Sequence, residues 1–105
     1  MERIWKHMDF LGLLATPVSI HQARALISTS TDEQLNIISE LALNLLQRRF
    51  KFSEYYRKEL KKDADFIRHL ADRRIPTEKK RSLTLNRLKT TSLLLKVCLK
   101  RIRDG

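Results

Sequence analysis

The chain has 105 residues, of which 22 are Lys or Arg and 12 are Asp or Glu, so its formal net charge is +10. This length predicts a single domain, residues 1–105. A hydrophobic content of 42% is enough for a small core and excludes a wholly disordered chain. Only two Gly and two Pro are present, which excludes Gly-rich phosphate loops and sheets joined by tight turns. We therefore expect an all-α fold, a compact bundle of about five helices whose last helix is long and basic.

Charge is distributed unevenly along this domain. Residues 1–47 hold three basic and five acidic residues, a net charge of −2. Residues 48–105 hold 19 basic and seven acidic residues, a net charge of +12. A near-neutral packing half is therefore joined to a strongly basic half, a distribution typical of proteins that bind nucleic acid or an anionic surface.

The first two helices are bounded by proline and capping signals. Pro17 disfavours the helical conformation at the residue before it, so the first helix should run from about Glu2 to Ala15. Ser19 followed by Gln22 forms a capping box that predicts the start of a short second helix.

The third helix carries the clearest apolar stripe. Two overlapping capping boxes precede it, Ser30 with Glu33 and Thr31 with Gln34. Its apolar residues recur at helical spacing, which predicts that this helix is the centre of the core. They are Leu35, Ile38, Leu41, Ala42, Leu45 and Leu46.

The fourth and fifth helices are separated by a proline. Ser53 is the predicted N-cap of the fourth helix, which should end by Arg74 because the residue before Pro76 is extended. The fifth helix should then run from about Glu78 to Arg103 as the longest in the chain.

Three faces of this last helix can be distinguished on a helical wheel. A heptad-like seam consists of Leu85, Leu88, Ser92, Leu95, Leu99 and Ile102. A basic stripe lies beside it, within about 60° of arc, and comprises Lys89, Lys96, Lys100 and Arg103. Leu93, Leu94 and Val97 occupy much of the remaining surface. A helix that is apolar on two sides is either central to its bundle or has a second partner.

The reactive side chains do not form a catalytic pattern. His7, His21 and His69 fall on different predicted helices without metal-ligand spacing, and we predict no metal and no cofactor. Cys98 lies in an apolar helical run and is predicted to be a buried, unreactive thiol. The acids of the fourth helix alternate with bases at ion-pair spacing. We therefore predict a protein that is not an enzyme.

The N-terminal segment and the lone cysteine predict the compartment. The first 17 residues carry four charged side chains and His7, and they lack the uninterrupted apolar stretch of a signal peptide. One cysteine cannot form an internal disulfide, which favours a reducing environment. We expect an intracellular protein, nuclear or virion-associated, that is not secreted.

The run RRIPTEKKR places five cations around a proline turn. We expect this turn to expose Lys79, Lys80 and Arg81 to phosphates, together with the basic stripe. Every aromatic residue precedes residue 67, so stacking on single-stranded bases is not expected. Contact with the backbone phosphates of DNA, rather than of RNA, is the predicted mode.

Residues from Phe10 to about Leu85 resemble short basic proteins encoded in Maverick or Polinton-type elements and the related adintoviruses of animals. The similarity lies in FLGLLATP, ELALNLLQ, SEYYRKELKKDADFIRHLADRRI and PTEKKRSL, in that order. The resemblance implies a virion-associated or DNA-associated product without an assigned activity. The family ends in a basic run and a Gly-Gly-aromatic-Leu tail, whereas this chain ends in NRLKTTSLLLKVCLKRIRDG.

Three functions remain open from the sequence. The first is sequence-independent binding of DNA, as a virion core or packaging accessory, through the basic residues named above. The second is a protein-interaction module that forms a homodimer through Leu88, Leu95, Leu99 and Ile102. The third is a membrane-surface helix, which we disfavour because the last helix lacks Trp and Phe at its apolar edge.

Overall fold

A computed structural model describes residues 2–47 and 53–104, the last two of them by their backbone alone. Those two ranges form helices joined by short turns and contain no strand. The helices are α1 (Glu2–Lys6), α2 (Met8–Ala15), α3 (Ile20–Ser28), α4 (Asp32–Leu46), α5 (Glu54–Lys61), α6 (Ala64–Ala71), α7 (Thr77–Leu85) and α8 (Leu88–Asp104). The all-α prediction is confirmed, but the described chain forms eight helices instead of about five.

The additional helices arise because three predicted helices are each broken in two. The breaks fall at residue 7, at residues 62–63 and at residues 86–87. A straight helix over residues 78–103 would be about 39 Å long at about 1.5 Å per residue. The Cα trace extends 31 Å along its longest principal axis. The predicted last helix is broken at residues 86–87, where Asn86 is the C-cap of α7. Its two parts have different main neighbours, α3 for α7 and α2 for α8, although both also contact α4.

Local capping signals identify the starts of three helices correctly. The Ser19 hydroxyl accepts a hydrogen bond from the Gln22 amide at the start of α3. Thr31 and Gln34 form the complete capping box of α4. Ser53 caps α5 as predicted. The predicted Ser30 box is wrong because Ser30 precedes the α4 cap and is buried, and its hydroxyl donates to the Ile27 carbonyl at the end of α3.

Helix α4 is the centre of the core, as its stripe predicts. It packs against α6, α7 and α8. Its buried apolar residues are Leu35, Ile37, Ile38, Leu41, Ala42 and Leu45. Leu46 was predicted to join them but is 41% exposed, because it is the last residue of α4 and lies beyond the helices that cover the stripe.

Helix α8 is also central, and α2 is its main neighbour. Leu94, Leu95 and Cys98 on α8 have no exposed surface, and Val97 is almost completely covered. The predicted burial of Cys98 is confirmed. Of the two explanations for a helix that is apolar on two sides, the central position in its own bundle is therefore correct.

The residues of the predicted homodimer seam lie in this same core. Leu88, Leu95 and Leu99 are at most 5% exposed, and Ile102 is partly buried against the core. The seam packs within the chain because α2 and α5 cover α8. Three of the four seam residues are therefore buried within the chain, and the homodimer alternative stays a prediction.

Candidate nucleic-acid interface

The most exposed residues of α8 are all cations wherever its side chains are described. Four of its residues over positions 88–102 are exposed, namely Lys89, Lys96, Lys100 and Arg101. The remaining residues of that span are buried or partly buried, which leaves the amines and the guanidinium as the outward face of the helix. We call these four residues the α8 basic face.

The α8 basic face has no carboxylate partner among the described side chains. The ion pairs of the molecule lie elsewhere, although α8 holds four exposed cations. Its own acid, Asp104, is at the far C-terminal end. This face therefore presents uncompensated positive charge.

Three exposed cations in and next to α5 and α6 are in the opposite situation. Lys62 contacts Glu59 at 3.0 Å, and Arg68 contacts Asp65 at 2.8 Å. Arg57 also pairs with the glutamate three residues before it. Lys58 and Lys61 on α5 are exposed and have no carboxylate within 4 Å among the described side chains, so the contrast with the α8 basic face holds for the three paired cations and not for all of α5.

The α8 basic face extends along most of one helix. Lys89 and Lys100 are eleven residues apart, which corresponds to about 16 Å along the helix axis. Lys96 and Lys100 line a shallow groove against α2, in which Asp9 is the acidic residue. Lys89 lines a second groove with Arg24 and Asp63.

These two carboxylates leave the face positive. Asp63 already pairs with Arg87 and accepts a hydrogen bond from the Thr90 hydroxyl. Asp9 has no lysine nitrogen of α8 within 4 Å in the described structure.

The predicted basic turn is exposed only in part. Lys79 is exposed, but Lys80 is 3% exposed and Arg81 is partly buried. Successive residues of a helix are about 100° apart around its axis, so three adjacent cations of α7 cannot all face solvent when α3 and α4 pack against it. The expectation that the turn exposes all three is therefore wrong for Lys80 and Arg81.

Arg81 has a structural role, because its side chain connects two helices. Its guanidinium donates to the carbonyls of Ile27 and Ser30 at 2.9 and 2.8 Å, and also to the Ser30 hydroxyl. These carbonyls lie at and just beyond the C-terminal end of α3, where a cation is favoured by the helix dipole. Glu78 contacts the same guanidinium at 3.2 Å. Arg81 thus attaches α7 to α3 and has little charge left for an external anion.

Lys80 points inward to α4. Its ammonium group donates a hydrogen bond to the Ser39 hydroxyl, which in turn donates to the Leu70 carbonyl. Burial lowers the pKa of Lys80, although the nearby Asp72 carboxylate acts in the opposite direction. The hydrogen bond between Lys80 and Ser39 could not be predicted from the sequence, because the two residues are 41 positions apart.

Arg101 is an exposed cation that sequence reasoning did not select. It lies next to Lys100 but about 100° around the helix, outside the narrow stripe. The side chain of Arg103, which was selected, lies outside the described atoms. The missing signal was burial, because the sequence does not show that Arg101 is exposed on the side of the helix where Val97 and Leu94 are buried.

Other chemistry has little support in the described residues. They contain no group of three or more metal-binding side chains. Desolvation raises the pKa of the Cys98 thiol to about 12, which keeps it in its poorly nucleophilic protonated form. None of the described helices has the length and hydrophobicity needed to cross a membrane.

Comparisons with family models, curated proteins and solved structures found no match to this chain. The resemblance to proteins of Maverick-type elements therefore stays a prediction based on the motifs named above.

Proposed function

We propose that the protein binds the phosphate backbone of duplex DNA without sequence readout, through the α8 basic face. The observation that carries this proposal is that every exposed, described residue of α8 is a cation without a carboxylate partner. Cations of this kind bind polyanions by replacing condensed counterions, which favours association with any phosphate backbone. A role as a virion core or packaging accessory fits such binding.

Backbone contact is favoured over base recognition by the residues around the face. The exposed aromatic side chains of the described chain are Trp5 on α1 and Tyr55 on α5, and α8 itself has none. Stacking on unpaired bases needs an aromatic platform beside the cations. Contacts to phosphates alone position a protein but carry no direct sequence information.

A matched pair of triple variants tests this proposal. The first, Lys89→Gln with Lys96→Gln and Lys100→Gln, removes three unpaired charges. The second, Arg57→Gln with Lys62→Gln and Arg68→Gln, removes three charges that have acid partners. Both sets are exposed and carry the same formal charge change.

Affinity for several unrelated duplexes should be measured over a range of salt concentrations. The α8 variant should bind all of them more weakly and lose about 2.7 from the log–log salt slope, since each lost phosphate contact removes about 0.9. The α5–α6 variant should retain most of the wild-type affinity. Equal losses in both variants would mean that binding follows net charge alone, and an absence of wild-type binding near 0.15 M salt would refute the proposal.

The other two functions have weaker structural support. A homodimer through the leucine seam would require residues that are already buried in the core. Insertion of α8 into a membrane surface would require the same apolar side chains. Light scattering and liposome flotation of the wild-type protein test these two alternatives directly.

A further inference from the structure

A groove on another side of the molecule lies between α4 and the turn from α6 to α7. Its volume is about 430 Å³. Ser39 and Lys80, both buried, contribute to its lining, together with Arg3, Arg73, Arg74, Thr77 and one acid, Glu40. None of these residues belongs to the α8 basic face, so the groove is a separate feature.

The Lys80 ammonium group has hydrogen-bonding capacity that the fold does not use. A lysine ammonium carries three N–H donors. The Ser39 hydroxyl accepts from it, and no second acceptor is present among the described residues. Lys80 as a whole is 3% exposed, so its remaining donors can be reached only through the groove that it lines. An anion that enters the groove could accept hydrogen bonds from these donors and stabilise the charge of Lys80.

Two of the cations around the groove have no carboxylate in direct contact. Arg3 contacts Glu40 at 2.6 Å, and Arg74 contacts Asp72 at 2.9 Å. The Arg74 hydrogen bonds lower the pKa of Asp72 to about 2, so this carboxylate remains ionised. Lys80 and Arg73 have no carboxylate within 4 Å among the described residues. Two positive charges without a directly bound carboxylate therefore line one groove, although Asp72 is near enough to Lys80 to favour its charged form.

The start of α7 adds backbone donors at the same place. Its N-cap is Pro76, which provides no side-chain cap, and both Pro76 and Thr77 line the groove. The first N–H groups of a helix are free to bind an anion, which the helix dipole also favours. The free N–H groups of α7 would therefore add hydrogen-bond donors to those of Lys80 and Arg73.

We propose that this groove binds a phosphate monoester dianion between Lys80 and Arg73, beside the first turn of α7. These two cations match the two negative charges that such a group carries above its second pKa, near 6. The internal phosphates of a DNA strand are monoanionic diesters and lack the second charge. This site is thus distinct in chemistry and in position from the α8 basic face.

Inorganic phosphate is the first probe. At pH 7.5 it should raise the melting temperature of the wild-type protein saturably, beyond the effect of sodium chloride at equal ionic strength, because a ligand that binds only the folded state stabilises it. Calorimetry gives the dissociation constant. Lys80→Met and Arg73→Gln should each weaken binding by about tenfold or more. Arg68→Gln, which removes an exposed and paired cation, is the matched control and should bind as the wild type does.

Arg73→Gln keeps the test decisive if Lys80→Met does not fold, since Arg73 is exposed. A nucleoside 5′-monophosphate, and one oligonucleotide with either a 5′-phosphate or a 5′-hydroxyl, distinguish a small ligand from a strand end. If neither inorganic phosphate nor the monophosphate binds above the chloride control, or if Arg73→Gln binds them as tightly as Arg68→Gln does, the proposal is overturned. The α8 triple variant should bind phosphate normally, so this result is independent of duplex binding.

Discussion

Leu41→Ala measures how far the stability of this protein depends on α4. Leu41 has no exposed surface, and its carbonyl oxygen lies 3.9 Å from the Cys98 sulfur on α8. The substitution removes three buried carbons, each contributing about 0.8 kcal/mol of transfer free energy, or about 2.4 kcal/mol in all. The cavity left between α4 and its neighbours adds to this loss, so the total should fall between about 2 and 5 kcal/mol.

Chemical and thermal denaturation followed by circular dichroism provide the measurement. A domain of this size has a total unfolding free energy of about 5–15 kcal/mol, so the loss is a large fraction of it. The melting temperature should fall by roughly 10 °C or more, at about 4–8 °C for each kcal/mol.

The control is Leu46→Ala on the same helix. Leu46 is 41% exposed and ends α4, so its neighbours can relax around the smaller side chain. Its loss should be about 1 kcal/mol. If the two variants are destabilised equally, or if Leu41→Ala changes stability by less than about 1 kcal/mol, α4 is not the centre of the core.

Two further predictions concern α8. Cys98 should react slowly with a thiol reagent at pH 8 in the native protein and rapidly in denaturant, because burial raises its pKa to about 12; fast native labelling would contradict the packing of α8. Lys89→Glu places an acid in the first turn of α8, so it should raise the unfolding free energy by about 0.3–1 kcal/mol. The same change should weaken duplex binding. A decrease in both the unfolding free energy and the affinity would indicate that Lys89 stabilises the folded protein.

Several parts of the fold could be predicted from the sequence because they depend on short-range contacts. The Thr31–Gln34 box and the Ser19 and Ser53 caps connect residues three apart, so their hydrogen bonds follow directly from the residue types. The stripe of α4 is equally local. Correct predictions therefore concern single helices and their starts.

The breaks within helices could not be predicted in this way. Residues 78–103 have a continuous apolar pattern, and the only stop signal between Leu85 and Leu88 is Asn86, which becomes the C-cap of α7. An asparagine alone does not fix a break, and the main neighbour changes there from α3 for α7 to α2 for α8. Such a constraint exists only after the helices have assembled.

The exposure of charged residues in the candidate sites could not be predicted from the sequence either. Lys79 and Lys80 are adjacent and identical in the sequence, yet one is exposed and the other is buried against Ser39. Which of them serves the fold depends on the face that α7 turns toward α4. The sequence could identify a basic cluster, but only the packing separates Arg81, which binds carbonyls of α3 and its C-terminal turn, from the exposed cations.

The electrostatics of α8 itself favour an external anion. Arg101 lies in the last turn, where the helix dipole stabilises a cation. Lys89 lies in the first turn, where the dipole has the opposite effect. Lys96 and Lys100 are four residues apart, and a like-charge pair at that spacing destabilises a helix by about 0.2–0.5 kcal/mol. An anion on the exposed side of α8 would reduce the repulsion between Lys96 and Lys100 and offset the charge of Lys89. These three lysines destabilise the helix in its free state, and they are the ones that a bound phosphate backbone would stabilise.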